Sequence, residues 1–176
     1  LYWSQRAGRL GQFFMMPKFR SMRIDTPEVA TDKLGDAKSY ITPFGSFLRR
    51  TSLDELPQIY SVLRGDMSIV GPRPLTKETR DYIPAQILEE IQDVQPGLTG
   101  IGSIIFRDEE TIIHESGEDY HEFYRREIAP FKGEVEIWYK KNRSFLIDLK
   151  IIFLTAWVII FSDGLQLNSL FCDIPR

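Results

Sequence analysis

Apolar residues in the first 23 positions cluster in two arms, Tyr2–Arg6 and Phe13–Met22, and Gly8 and Gly11 bracket the reversal between them. Aromatic and apolar side chains on both arms predict a β-hairpin. Pro17 places the second arm at an edge or a bulge. Residues 25–43 are polar and read as a loop or weak helix. Gly45–Arg50 predicts a short helix, and Ser52–Arg64 a second one closed by Gly65. Met67–Val70 predicts a short strand running into the rigid segment Gly71–Pro72–Arg73–Pro74. Helical spacing at Ile83, Ile87, Leu88 and Ile91 predicts one helix over Thr76–Val94, stopped by Gln95–Pro96–Gly97. Leu98–Phe106 reads as a strand. Glu118–Ile128 and Phe131–Asn142 read as helices divided near Pro130, and Ser144–Phe161 as the last helix. The expected fold class is α/β (α+β): a helix-rich single domain, residues 1–176, around a small, mostly antiparallel sheet or hairpin.

The last helix raises the question of a membrane. Its uncharged run, Ile151–Phe161, is 11 residues, roughly 16 Å as a helix, against a bilayer core of about 30 Å. Extension to Ser144 brings in Asp148 and Lys150, each costing on the order of 2.5–3.5 kcal/mol at mid-membrane. The run is therefore expected not to span; a buried or an interfacial helix fits, and Trp157 suits both.

Composition narrows the class of protein. A chain of 176 residues, 43% hydrophobic and 27% charged, is globular and large enough for one core. Residues 1–73 carry 11 Lys/Arg against 7 Asp/Glu, a balance of +4, and residues 74–176 carry 11 against 18, a balance of −7. A basic front half suits a phosphorylated substrate, and the acidic rear half argues against nucleic acid. Cys172 is alone, which predicts no disulfide framework and a reducing compartment.

The chemistry centres on Ser52–Leu53–Asp54–Glu55–Leu56–Pro57–Gln58. Ser52 with Glu55 three residues on has the form of a capping box, with Asp54 as an alternative N-cap and Pro57 in the first turn. Either arrangement puts Asp54 and Glu55 at the positive end of a helix, which favours their charged forms. An ordinary capped helix start has the same composition. What sets this one apart is its basic surroundings: Lys18 and Arg20, then Arg49, then Arg73 between two prolines. Guanidinium forks match diphosphate oxygens, so the pattern suggests an anion site. One carboxylate could hold a divalent cation while the other attacks phosphorus. Adjacent carboxylates cannot flank a glycosidic bond. Gly97–Gly102 has the wrong spacing and setting for a dinucleotide loop, and His114 and His121 have no partners at zinc-ligand spacing.

Lys18–Phe19–Arg20–Ser21–Met22, Gly45-x-Phe47–Leu48–Arg49, Ser52–Gln58, Gly65–Pro74, Pro96–Gly100, Trp138–Tyr139, Asn142-x-Ser144 and Asp148–Ile151 together resemble the bacterial sugar transferases. These are monotopic polyprenyl-phosphate phosphoglycosyl transferases, and the resemblance covers nearly the whole chain. It implies transfer of a sugar 1-phosphate from a nucleotide-sugar, usually a UDP-sugar, to undecaprenyl phosphate, with release of UMP. The place implied is the cytosolic face of a bacterial cytoplasmic membrane, as the first membrane step of O-antigen, capsule, exopolysaccharide or glycoprotein glycan assembly. By analogy Asp54 is the nucleophile, Glu55 binds Mg²⁺, and Lys18, Arg20, Arg49, Arg73 and Arg107 are the candidate substrate-binding cations. A homodimer is compatible with the sequence. The family's N-terminal membrane helix is expected to be missing from this chain, which reads as a fragment. Residues 107–134, longer and more acidic than in the shortest members, are a place for sugar selection. A non-catalytic membrane-surface scaffold is the rival reading, and direct attack by the lipid phosphate is the rival mechanism.

Overall fold

The computed structural model describes residues 1–27, 37–107, 109–161, 171 and 174–175. The chain opens with the expected hairpin. Strands β1 (Tyr2–Ala7) and β2 (Phe13–Lys18) pair antiparallel, with Tyr2 opposite Lys18 and Arg6 opposite Phe14. Pro17 is tolerated because this is a two-stranded sheet, in which each strand is an edge. Helix α1 (Ala37–Tyr40) follows, and α2 (Pro43–Arg50) starts at Thr42, whose hydroxyl accepts the Gly45 N–H at 2.9 Å. Gly45 has no room for a side chain, since a Cβ there would overlap the Ser21 carbonyl.

The segment after α2 departs from the expected capping box. Ser52 adopts a left-handed conformation (φ 56°) and makes no side-chain cap, and Leu53–Gln58 winds as a 3₁₀ turn before α3 (Ile59–Arg64). Glu55 does not fold back on the turn because it is engaged by cations from elsewhere in the chain. Helix α3 ends at Gly65 in the left-handed conformation, as expected. Strand β3 (Ser68–Val70) also forms where expected.

The single helix expected over Thr76–Val94 is two, α4 (Lys77–Asp81) and α5 (Ala85–Ile91), broken at Pro84, whose extended backbone (ψ 135°) starts the second. The strand expected over Leu98–Phe106 is shorter. Only β4 (Gly97–Thr99) is extended; it pairs in parallel with β3, and Ile101–Ile105 is helix α6. A short apolar run fits either state, and packing decides between them: Ile101 and Ile104 are buried in the main core.

Helices α7 (Glu109–Ser116) and α8 (Tyr120–Phe123) lead into α9 (Ala129–Asn142). The division expected near Pro130 is absent. A π-turn over Tyr124–Ile128, with the Ala129 N–H bonded to the Tyr124 carbonyl, carries α8 directly into α9. The wider turn accommodates a proline that lacks an N–H and would crowd the carbonyl four residues back.

Helix α10 (Phe145–Phe161) contributes Ile151, Leu154 and Val158 to a core cluster shared with Val70 of β3, Ile101 and Ile104 of α6, and Val135, Trp138 and Tyr139 of α9. The Tyr139 hydroxyl donates to Asp148 at 2.8 Å, and the Thr99 and Thr155 hydroxyls meet at 2.6 Å, tying α10 to α9 and β4. A second cluster, including Ile83, Phe106, Ile113 and Tyr124, fills the space beneath α4, α5 and α7. Among the described residues no helix is long and apolar enough to cross a membrane.

Candidate active site

Alternation along the hairpin puts Arg6, Met16 and Lys18 on one face, because the pairs Tyr2–Lys18, Ser4–Met16 and Arg6–Phe14 share a side. The 3₁₀ turn lies at the end of that face, where the Phe19 N–H donates to the Asp54 carbonyl at 2.9 Å. Lys18 Nζ then donates to Glu55 Oε1 at 2.7 Å, and Arg73 Nη2 approaches the same oxygen at 3.4 Å. Arg73 is delivered by the segment after β3, which the β3–β4 pairing and the Gly97 N–H to Pro72 carbonyl bond (2.8 Å) hold in place. Arg6, Lys18, Glu55, Gln58, Arg73 and the backbone at Gly97–Leu98 are among the residues lining a small, open pocket.

The charge balance in this pocket is lopsided. Lys18 and Arg73 bond the Glu55 carboxylate directly, and the charge of Arg6 also interacts with it. Burial opposes ionisation of Glu55, but Arg73 and Lys18 together outweigh it and hold the carboxyl below its usual range. Burial also lowers Lys18 and Arg6, and the positive charge of Arg73 pushes both further down, against the opposing pull of Glu55. Cations that destabilise one another beside one carboxylate make a receptor for a further anion.

Asp54 is half-buried at the edge of this group. Burial raises its carboxyl above the ordinary aspartate range; Glu55 adds to the rise, while Lys18 and Arg49 oppose it. The helix start therefore does not lower this carboxyl as the sequence suggests: desolvation outweighs it. Arg49 is oriented by its Nε donating to the Ser21 hydroxyl at 2.9 Å, and Ser21 is buried. If the ionised Asp54 is the reacting form, Lys18→Met will move the acid limb of the pH–rate profile to higher pH, since a cation that depresses this carboxyl has been removed. The initial rate across about pH 4–8 measures it, and an unmoved limb would detach that limb from Asp54.

The fold gathers Lys18, Glu55 and Arg73 in the pocket lining, keeps Asp54 and Arg49 at its edge, and leaves two further candidates apart from this group. Arg20 is exposed, with its guanidinium 5.4 Å above the Tyr2 ring. Arg107 is exposed just beyond α6. Sequence reasoning missed Arg6 and Gln58. The signal for Arg6 was available in the hairpin alternation, which sets it on the same face as Lys18. Gln58, 2% exposed, carried none. No three Asp, Glu, His or Cys side chains converge on a metal position among the described residues.

Residues 1–162 match the model of a family described as bacterial sugar transferase. The chain is 34% identical, over 93% of its length and 34% of the relative's, to the undecaprenyl-phosphate galactose phosphotransferase of Salmonella typhimurium. It is 36% identical to the uncharacterized sugar transferase EpsL of Bacillus subtilis, over 92% of this chain and 70% of EpsL. Identity is also 36% to a UDP-glucose:undecaprenyl-phosphate glucose-1-phosphate transferase of Caulobacter vibrioides, over 93% of this chain and 58% of that protein. The chain thus spans about a third of the Salmonella relative's length.

Proposed function

The chain belongs to the bacterial sugar transferase family, and from that membership we propose that it transfers a sugar 1-phosphate from a UDP-sugar to undecaprenyl phosphate, beginning the assembly of a surface polysaccharide. The observation that carries the mechanism is the half-buried Asp54 carboxylate beside a pocket with three cations and one glutamate. In the first step an Asp54 carboxylate oxygen attacks the sugar-bearing phosphorus. The bond from that phosphorus to the bridging oxygen breaks, and UMP leaves with the oxygen and its electron pair. In the second step an oxygen of the lipid phosphate attacks the same phosphorus, and the Asp54 carboxylate is released. Arg6, Lys18 and Arg73 bind the diphosphate and offset the charge that develops on UMP, a large term in phosphoryl transfer. Arg73, 55% exposed at its side chain and paired with Glu55 at 3.4 Å, can exchange that long contact for a ligand oxygen.

Magnesium fits this donor set only together with a substrate. Glu55 would supply one hard oxygen ligand, fewer than a self-sufficient site needs, but Mg²⁺ often takes one or two carboxylates and completes its shell with phosphates and water. Glu55 would hold it, and when bound it would neutralise diphosphate charge. The nucleophile assignment is tested by giving the full-length protein UDP-sugar and Mg²⁺ without lipid. About one equivalent of UMP and a protein-bound sugar phosphate are expected. Absence of both would favour direct attack by the lipid phosphate.

Two apolar faces suit a lipid substrate. Helix α10 exposes Phe145, Leu146, Leu149, Phe153 and Ile160, and the segment around Asp54 exposes Leu53, Leu56, Ile59 and Leu63. We assign these to the membrane surface, which would bring the lipid phosphate to Asp54. Burying one such side chain contributes about 1.5–3 kcal/mol, so Leu63→Glu and Phe153→Glu should each weaken co-sedimentation with anionic vesicles by about tenfold or more. UMP release without lipid should stay unchanged. Undiminished vesicle binding in both variants would remove the assignment.

A further inference from the structure

Arg73 lines a second cleft besides the anion pocket. This open cleft lies between the turn of the hairpin, the Pro72–Leu75 segment and helices α4 and α5. Its floor is apolar, formed by Leu75, Leu88, Ile91 and Val94. Its polar side chains besides Arg73 are Arg80 of α4 and Gln92 at the end of α5. The Arg80 guanidinium lies across the hairpin turn: its Nη2 would stand 3.1 Å from a Cβ built on Gly11. Gln92 is exposed and holds only the Glu89 carbonyl, at 3.3 Å, so its amide can turn to a ligand at little cost. The hairpin is fastened to both neighbouring elements here, by the Ala7 N–H to the Leu75 carbonyl (2.8 Å) and the Leu10 N–H to the Gln92 carbonyl (2.6 Å). The cleft is thus an open, preformed groove whose walls are held by main-chain hydrogen bonds.

We propose that this cleft receives the nucleoside of the donor, with its phosphates reaching past Arg73 into the anion pocket. The inference rests on the donor being a nucleoside diphosphate sugar, as proposed above. A pyrimidine has apolar faces and a polar edge with two carbonyl oxygens, which matches an aliphatic floor with a guanidinium and a carboxamide at the rim. The shared Arg73 gives continuity: one side chain borders the space for the base and ribose and the space for the diphosphate. An isoprenoid tail has no polar edge, and cations at both ends of an apolar floor are wasted on it.

The test compares UDP with inorganic pyrophosphate by calorimetry on the full-length protein, for wild type, Arg80→Ala and Gln92→Trp; the second replaces an exposed residue and fills the mouth without touching the core. Wild type should prefer UDP by tenfold or more. Both variants should lose that preference while binding pyrophosphate within twofold of wild type, and the KM for UDP-sugar should rise with little change in kcat. Retained preference in both variants would place the nucleoside elsewhere and overturn the proposal. So would a wild type that binds the two ligands equally, although the anion pocket would survive that result. Binding of neither ligand would remove the anion pocket and this cleft's role together. A rise confined to the KM for polyprenyl phosphate would reassign the cleft to the lipid.

Discussion

Asp54→Asn will abolish the UMP burst and the protein-bound sugar phosphate, and will lower lipid-dependent turnover by about 10³-fold or more. Asparagine has the size of aspartate, and its main-chain carbonyl can still accept the Phe19 N–H. The amide cannot form an acyl phosphate that a second phosphate would displace. Pyrophosphate affinity should change only severalfold, because Arg6, Lys18, Glu55 and Arg73 are untouched. A loss of turnover with intact anion binding therefore isolates the chemical role from the electrostatic one. Radiolabelled sugar phosphate retained on denatured protein is the direct readout. If the variant keeps a burst, Asp54 is not the nucleophile, and direct attack by the lipid phosphate takes its place.

Glu136→Met should stabilise the fold at neutral pH by an amount on the order of 3 kcal/mol. Glu136 is buried in α9, one of its carboxyl oxygens meets no hydrogen-bond partner among the described residues, and burial raises its carboxyl to about 8 despite the opposing charge of Lys132. Below the ordinary glutamate range the folded and unfolded chains both carry the proton. Between that range and about 8 only the folded chain keeps it, so stability falls as the pH rises through this window and then levels off. Methionine has similar bulk and no proton to lose, and Lys132 keeps its ion pair with Glu109. Urea unfolding at pH 5 and pH 7.5 should show wild type losing stability between the two and the variant losing less. Equal losses would mean that Glu136 finds a partner the structure does not give it.

Local patterns in the sequence were read correctly wherever the chain's own chemistry settles them. The hairpin, α2, the Gly65 stop, β3 and α10 follow from turn residues and runs of apolar side chains. The capping box at Ser52 failed because Glu55 has stronger partners in Lys18 and Arg73, 37 and 18 residues away. Similarly, Leu98–Phe106 has strand-like composition, but the core takes Ile101 and Ile104 on a helical face. The pairing of Asp54 with Glu55 and its ring of cations was legible as a motif. Arg20 and Arg107 show the limit of that method, since nearness to a motif in sequence does not set the direction of a side chain. The rise in the Asp54 carboxyl was equally hidden, because desolvation is a property of the folded surroundings.

The π-turn at Tyr124–Ile128 has a bearing on how this chain can vary in length. An α-helix advances by about 100° per residue, so one residue gained or lost inside the wide turn would swing Lys132 and Glu136 off the side of α9 they now occupy. Insertions in the connection between α7 and α8 leave that azimuth alone. The wide turn therefore works as a phase marker, and length changes confined to the α7–α8 connection leave the setting of α9 intact.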